Sequence, residues 1–350
     1  MSKLSQPPLR GHGGSSTRFD RPMLDLPEDE DYNAPVRCHG EGDVMITVLA
    51  GGVGAAKFLQ GLVEVVDPRD ITIISNTGDD IDLHGLHISP DIDIVLYTLA
   101  GISHPDQGWG IKGDTFHTLE MLGRYGHPTW FHLGDRDLAT HIHRTERLRH
   151  GWPLSAVTDE IRHALGVRPR LLPMTEQRTE TKIVTAEGVL HFQEYLVQHR
   201  SEPLVQEVRF EGIEVAVPAP GVCEALREAD GIIIAPSNPI VSIGTILAVP
   251  GVRQALAARR GRVVAVSPIV QGTTLKGPAD KLMLALGHEA TAVGVARYYG
   301  TVLDGFVLDS LDQGLQEAVR CLGIDVQVTN TIMSGPAERR ALAQTVMQML

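Results

Sequence analysis

The sequence predicts an α/β protein built on a mostly parallel sheet with helices on both faces. Two observations carry that prediction. Short runs rich in β-branched apolar residues recur along the chain, with segments of helical apolar spacing between them. A glycine-rich turn joins the first such run directly to the first helix-like segment.

Taken in order, MITVLA opens the pattern at Met45, then comes GGVG, then AAKFLQGLVEVV as the first helix. ITIIS, from Ile71 to Ser75, is a second buried strand. GIIIAP (Gly231 to Pro236) and RVVAVSP (Arg262 to Pro268) follow, with a helix over VPGVRQALAARRG between them. The last third is expected to supply helices around Pro278 to Leu286 and Leu315 to Leu322, a strand from Ile324 to Thr329, and a closing helix from Pro336 to Leu350. From about Asp135 to Val217 the rhythm changes. Two helical segments precede KIVTAEGVLHFQEYLV and VQEVRFEGIEVAV, each shaped like an antiparallel ribbon turning at Glu-Gly. An inserted α+β subdomain is therefore expected over about 135–217.

Residues 1–43 mix Pro, Gly, Ser and charges without apolar periodicity and lack the apolar centre of a signal peptide. They read as a disordered tail, which leaves 44–350 as the folded domain. Of the 350 residues, 43% are hydrophobic, enough for a sizeable core. Thirty-one basic against 43 acidic side chains leave a formal charge of −12, which argues against nucleic-acid binding and fits a small-molecule enzyme. No apolar run approaches the roughly 20 residues needed to span a bilayer. Cys38, Cys223 and Cys321 are odd in number, far apart and without a CxxC, so a reducing compartment, the cytoplasm, is expected.

Four segments carry chemistry. The turn Gly51-Gly52-Val53-Gly54 lets backbone approach a ligand and aims helix N–H groups at an anion. It is not the dinucleotide fingerprint: Lys57 stands where the third small residue belongs, and the second strand ends in Ser75 and Asn76 rather than a ribose-binding acid. A ligand-free tight turn is the bland alternative. Next, SNTGDDIDLHG and SPDIDIVLYTLAG place Asp79, Asp80, Asp82, Asp91 and Asp93 near the carboxyl end of a strand, where open α/β sheets bind ligands. Such hard oxygen donors suit Mg²⁺, which bridges one or two carboxylates to substrate phosphates. Helix N-capping by Asp91 and solvation of acids in a loop account for some of the five.

GWGIKGDTF puts Trp109 and Lys112 in a glycine-rich loop, where an indole can stack on a flat ring and an ammonium can meet a phosphate. A Trp that merely closes the core edge is the alternative. APSNPIVSIG follows an apolar strand and sets Ser237 and Asn238 in a stiff polar turn at the ligand edge of the sheet. In HLGDRDLATH, Asp135 and Asp137 are expected to cap their own helix, with Arg136 paired to one of them, and substrate contact is the alternative. His84 with His87, and His141 with His143, lack the partners of a closed zinc site.

Together and in this order, AGGVGAAKF, NTGDD with SPDID, GWGIKGDTF, HLGDRDLATH, LLPMTEQRTETKI, HFQEYLV, APSNPIVSIG and SPIVQGTTLKGPADKLM resemble the 2-phospho-L-lactate transferase (CofD-like) family of coenzyme F420 biosynthesis. The resemblance runs from Met45 almost to the C-terminus. It implies a Rossmann-like three-layer core with an inserted subdomain, a homodimer, Mg²⁺ as cofactor, and transfer of a phospholactyl, enolpyruvyl phosphate or phosphoglyceryl group. The implied donor is guanylylated; the implied acceptor is the terminal ribityl hydroxyl of 7,8-didemethyl-8-hydroxy-5-deazariboflavin (Fo), with release of GMP.

Carried over residue by residue, the resemblance makes Asp79 a metal ligand and Asp93 a deazaflavin or metal contact and the best candidate general base. It turns His132 toward the acceptor, Gly51, Gly52 and Gly54 toward phosphate or donor, and Ser237 with Asn238 toward guanosine. The alternative it leaves is a nucleotide-sugar-binding regulator on the same fold, which the GDD, HLGDRD and HFQ segments disfavour. A dehydrogenase is disfavoured by the incomplete glycine fingerprint.

Overall fold

The computed structural model describes residues 44–350; the expected tail, 1–43, lies outside the described residues. Seven strands form one parallel sheet: β1 (Ile46–Ala50), β2 (Ile71–Ser75), β3 (Arg170–Pro173), β4 (Gly231–Ile234), β5 (Arg262–Val266), β6 (Gly305–Asp309) and β7 (Asp325–Thr329). Their spatial order is β7-β6-β5-β4-β1-β2-β3, and every neighbouring pair is parallel. This is the Rossmann order extended by one strand, with its switch point between β1 and β4.

Helices cover both faces, so consecutive strand residues alternate between two cores, and the strands read as unbroken apolar runs. Ile46 and Val48 pack with Phe58 and Leu59 of helix α1 (Gly52–Leu62), Ile92 and Leu96 of helix α2 (Pro90–Leu99), and Leu342 of the closing helix Pro336–Met347. Leu49 faces the other way, toward Ile232, Ile243, Leu256 and Val295. Gly61 lets α1 and the closing helix touch: a Cβ there would lie 2.2 Å from the Arg339 carbonyl oxygen.

Strands β1, β2, β4, β5 and β7 and the closing helix fall where the sequence predicts them. Strands β3 and β6 do not appear in that prediction, nor do helices His117–Arg124 and Ala292–Tyr299. The interval 135–217 is not wholly an insertion, because β3 lies inside it and pairs with β2 as the sheet's edge. What stands apart is a three-stranded antiparallel sheet of Glu180–Thr185, Gly188–His191 and Val205–Glu211. The second expected ribbon does not form: after Val205–Glu211, Gly212 at φ 78° leads into a single 3₁₀ turn rather than a returning strand. This small sheet docks on the NTGDD loop through a bond from the Thr181 N–H to the Gly78 carbonyl (2.6 Å). Among the described residues no helix is long and apolar enough to cross a membrane.

Candidate active site

A cavity of about 1090 Å³ opens at the switch point, beyond the carboxyl ends of β1 and β4. Gly51, Gly52, Gly54, Ser237 and Asn238 all line it. The Gly51 N–H donates to Ser237 Oγ (3.2 Å), tying the turn after β1 to the turn after β4. The glycines are demanded by packing within the protein. A Cβ on Gly51 would stand 2.6 Å from Asp91 Oδ2, one on Gly54 would stand 2.2 Å from the Pro236 carbonyl oxygen, and Gly52 holds φ at 73°. Asn238 Oδ1 caps the π-helical turn Pro239–Gly244 by accepting from the Ile240 and Val241 N–H groups at 3.0 and 3.3 Å.

The acidic part of the wall comes from the loop after β2 and the first turn of α2. Asp79, Asp91 and Asp93 line the cavity and are buried. Asp79 Oδ1 has no hydrogen-bond partner, and burial together with the neighbouring Asp91 carboxylate raises the Asp79 pKa well above the usual carboxylate range. Asp91 accepts from Asn76 Nδ2 (3.0 Å), yet burial still pushes its pKa up to about 6. Asp80 Oδ2 accepts from Ser89 Oγ (2.7 Å) and lies 3.0 Å from His87 Nε2, while its Oδ1, like that of Asp79, has no hydrogen-bond partner among the described residues.

Asp93 serves a different partner. Both of its oxygens accept from the guanidinium of Arg144, Nη1 at 3.0 Å and Nη2 on the other oxygen. Arg144 is fully buried and lies on helix Asp135–Arg149. His141 bridges onward, with Nδ1 3.7 Å from Asp93 and Nε2 3.2 Å from Asp137, which also accepts from the Tyr97 hydroxyl at 2.7 Å. Burial alone would raise the Asp137 carboxyl, but His141, Tyr97 and Arg144 hold it below its ordinary value. The sequence-based roles of Asp93 as metal ligand and proton acceptor fit this geometry poorly, since its oxygens already serve Arg144.

The HLGDRD acids also differ from expectation. The cap on helix Asp135–Arg149 comes from Asp114, which accepts from the Arg136 and Asp137 N–H groups at 2.8 and 3.0 Å. Asp135 instead caps helix His117–Arg124 through the Thr118 and His117 N–H groups at 2.9 and 3.1 Å.

Trp109 and His132 line the cavity as exposed rings, and His132 lies 5.9 Å from Phe116. Gly108 presses the tryptophan loop onto the glycine turn, since a Cβ there would meet Val53 at 2.6 Å. Lys112 is exposed and does not line the cavity. The cations that do are Lys57, Arg200 and Lys276. Lys276 Nζ donates to the Gln107 carbonyl (2.7 Å) across the mouth. Among the described residues Lys57 has no anionic partner, and burial followed by the charges of Lys276 and Arg339 lowers its pKa.

The family model described as 2-phospho-L-lactate transferase CofD matches residues 46–331. The chain belongs to the CofD family. A phosphoenolpyruvate transferase of Streptomyces griseus is 47% identical over 310 residues, 87% of this chain and 98% of that protein. The 2-phospho-L-lactate transferase of Methanothermobacter thermautotrophicus is 44% identical over 303 residues, 87% of this chain and 97% of that one. A Bacillus halodurans protein of the UPF0052 family shares the fold, with a TM-score of 0.57 at 16% identity over 88% of this chain and 100% of that one. CofD membership makes the chain a transferase of phosphate-linked groups in coenzyme F420 biosynthesis.

Among the described residues no three His, Cys, Asp or Glu side chains gather into a closed metal site. Two carboxylates are nonetheless what Mg²⁺ asks of a protein when phosphates and waters fill its other positions. Asp79, with an orphaned buried oxygen, and Asp91, with a raised pKa, form such a pair and fit a hard cation. Sequence reasoning passed over Asp91 as a cap, although it stands two residues from Asp93. It also read Lys57 only as a broken fingerprint, when that departure was itself the signal of a cation at the turn. Arg144 and Arg200 gave no local signal.

Proposed function

We propose that the protein transfers a phosphate-linked three-carbon acid from a guanylylated donor to the ribityl hydroxyl of Fo, releasing GMP, with Mg²⁺ held by Asp79 and Asp91. The observation that carries this reading is one cavity at the switch point that joins a glycine turn, the neighbouring Asp79 and Asp91 carboxylates, the first with an orphaned oxygen, and the cations Lys57, Arg200 and Lys276. In the reaction the ribityl oxygen forms a bond to the phosphorus bearing the acid. The bond from that phosphorus to the bridging oxygen breaks, GMP leaves with that oxygen and its electron pair, and the hydroxyl proton passes to solvent. Bound Mg²⁺ would supply charge neutralisation on the diphosphate.

The chain's own residues position the reactants and balance charge, which is most of what phosphoryl transfer requires. The turn Gly51 to Gly54 brings backbone close to the diphosphate, and Lys57 and Lys276 offset its charge. Ser237 and Asn238 meet the guanosine, while Trp109 and His132 face the deazaflavin. The Asp93–Arg144 pair fixes the floor under α2 and takes no proton. Relatives named for phosphoenolpyruvate and for 2-phospho-L-lactate are about equally similar, so overall identity does not choose the acid; a few pocket contacts do.

The test is incubation with Fo, MgCl₂ and each of the three guanylylated acids in turn, followed by mass measurement of the products. An adduct of Fo carrying one phosphate and one acid, with GMP in equal amount, is expected from at least one donor. No adduct from any donor, together with tight binding of a UDP-sugar, would replace this reading with the regulatory one.

A further inference from the structure

We infer that Arg200 reads the carboxylate of the transferred acid and so separates the true donor from plain guanine nucleotides. The inference rests on the transferase reading above. Arg200 is the one arginine among the described residues that lines the cavity, and it is exposed there without an ion pair. Arg144, the nearby alternative, is spent on Asp93.

The backbone that presents Arg200 is unusual. Arg200 and Ser201 both sit in the left-handed region, at φ 50° and 55°, directly after the π-helical segment Glu194–Gln198. The local structure alone explains the reversal: the Ser201 N–H closes a seven-residue loop onto the Tyr195 carbonyl (2.8 Å), a helix ending in which glycine is the usual left-handed residue. It does not explain why arginine stands there. The corner is pinned, because the Ser201 carbonyl accepts from Lys281 Nζ at 2.9 Å and from the Tyr195 hydroxyl at 3.4 Å. A strained backbone corner pinned at a cavity by a lysine and a buried tyrosine is the pattern of a ligand contact.

Charge and shape point to a carboxylate. All three candidate acids carry one, and a carboxylate taken out of water into the cavity needs a cation to meet it, which Asp79 and Asp91 in its wall do not supply. A guanidinium binds a carboxylate as a planar two-bond fork, which an ammonium does not reproduce. Lys57, beside the glycine turn, belongs with the diphosphate instead. GDP has the diphosphate but no carboxylate, so it distinguishes the two cations.

Steady-state kinetics on the full chain should therefore compare the donor KM with the inhibition constant of GDP. Arg200→Ala should raise the donor KM roughly tenfold to a hundredfold and leave GDP inhibition within about twofold; Arg200→Lys should recover only part of the loss. Lys57→Ala should weaken donor and GDP together. Arg200→Gly should show the same donor defect with a melting temperature equal to or above that of the wild type, because glycine accepts the left-handed corner. Parallel loss of GDP and donor in Arg200→Ala, no loss of either, or a lower melting temperature in Arg200→Gly would overturn the assignment. Absence of turnover by the wild-type protein with every guanylylated acid would sink the transferase reading first, and this role with it.

Discussion

Replacing Arg144 by methionine keeps most of the side-chain volume and removes the charge that Asp93 depends on. Arg144 is fully buried and Asp93 is 4% exposed, so water cannot take over. Two charge-assisted hydrogen bonds disappear, at about 1.5–3 kcal/mol each, or about 3–6 kcal/mol together. Breaking a buried ion pair by deleting one partner costs about 3–5 kcal/mol, which agrees. With a loss of about 4 kcal/mol and a urea slope of about 3 kcal/mol/M, the unfolding midpoint should fall by about 1.3 M. The double variant Arg144→Met with Asp93→Leu leaves no unpaired charge at this point and should regain most of that midpoint, since apolar replacement of a buried pair is close to neutral. Equilibrium urea unfolding followed by circular dichroism measures both. A midpoint for Arg144→Met within about 0.3 M of wild type, or a double variant as unstable as the single one, would refute the claim that this pair anchors α2 to helix Asp135–Arg149.

The carboxylate pair predicts a pH signature. Asp91 has a folded pKa of about 6 and Asp79 lies well above the usual range, against unfolded values near ~4. The folded state then binds more protons than the unfolded one, so without a divalent cation this contribution is full below pH ~4 and is lost as pH rises through about 6 and beyond. Asp91→Asn should flatten that part of the melting curve against pH, and MgCl₂ at neutral pH should raise the melting temperature of the wild type alone; identical curves with no magnesium effect would remove the pair from the cation site. The glycine turn gives a ranking: Gly54→Ala drives a methyl into the Pro236 carbonyl oxygen and should cost about 2–3 kcal/mol. Gly52→Ala, whose methyl would make only an ordinary contact with Asp91 Oδ1 at 3.9 Å but sits at φ 73°, should cost about 1 kcal/mol. Calorimetric melting of both variants tests that order, and a reversed order would mean the turn can move away from β4.

Strands β1, β2, β4 and β5 were legible because burial on both faces forces a continuous run of β-branched apolar residues in each. Edge strand β3 was not, since RLLP is four residues long, ends in proline and follows a helix, and only its pairing with β2 makes it a strand. The acids after β2 were legible as a group but not as individuals. Asp91 and Asp93 are two residues apart on α2, about 200° around the helix, so one meets the glycine turn and the other meets an arginine 51 residues further on.

From composition and local pattern alone, the chain declared a mostly parallel sheet with helices on both faces, a glycine turn after its first strand, and acids at the carboxyl edge. These features arise from short-range rules of burial, periodicity and turn chemistry. Tertiary structure decided which charges remain available: Asp79 and Asp91 rather than Asp93, and Lys57, Lys276 and Arg200 rather than Lys112. Whether a charged side chain is spent on a protein partner or left facing a cavity depends on groups brought together from distant parts of the chain, and no local window of sequence contains both members of such a pair.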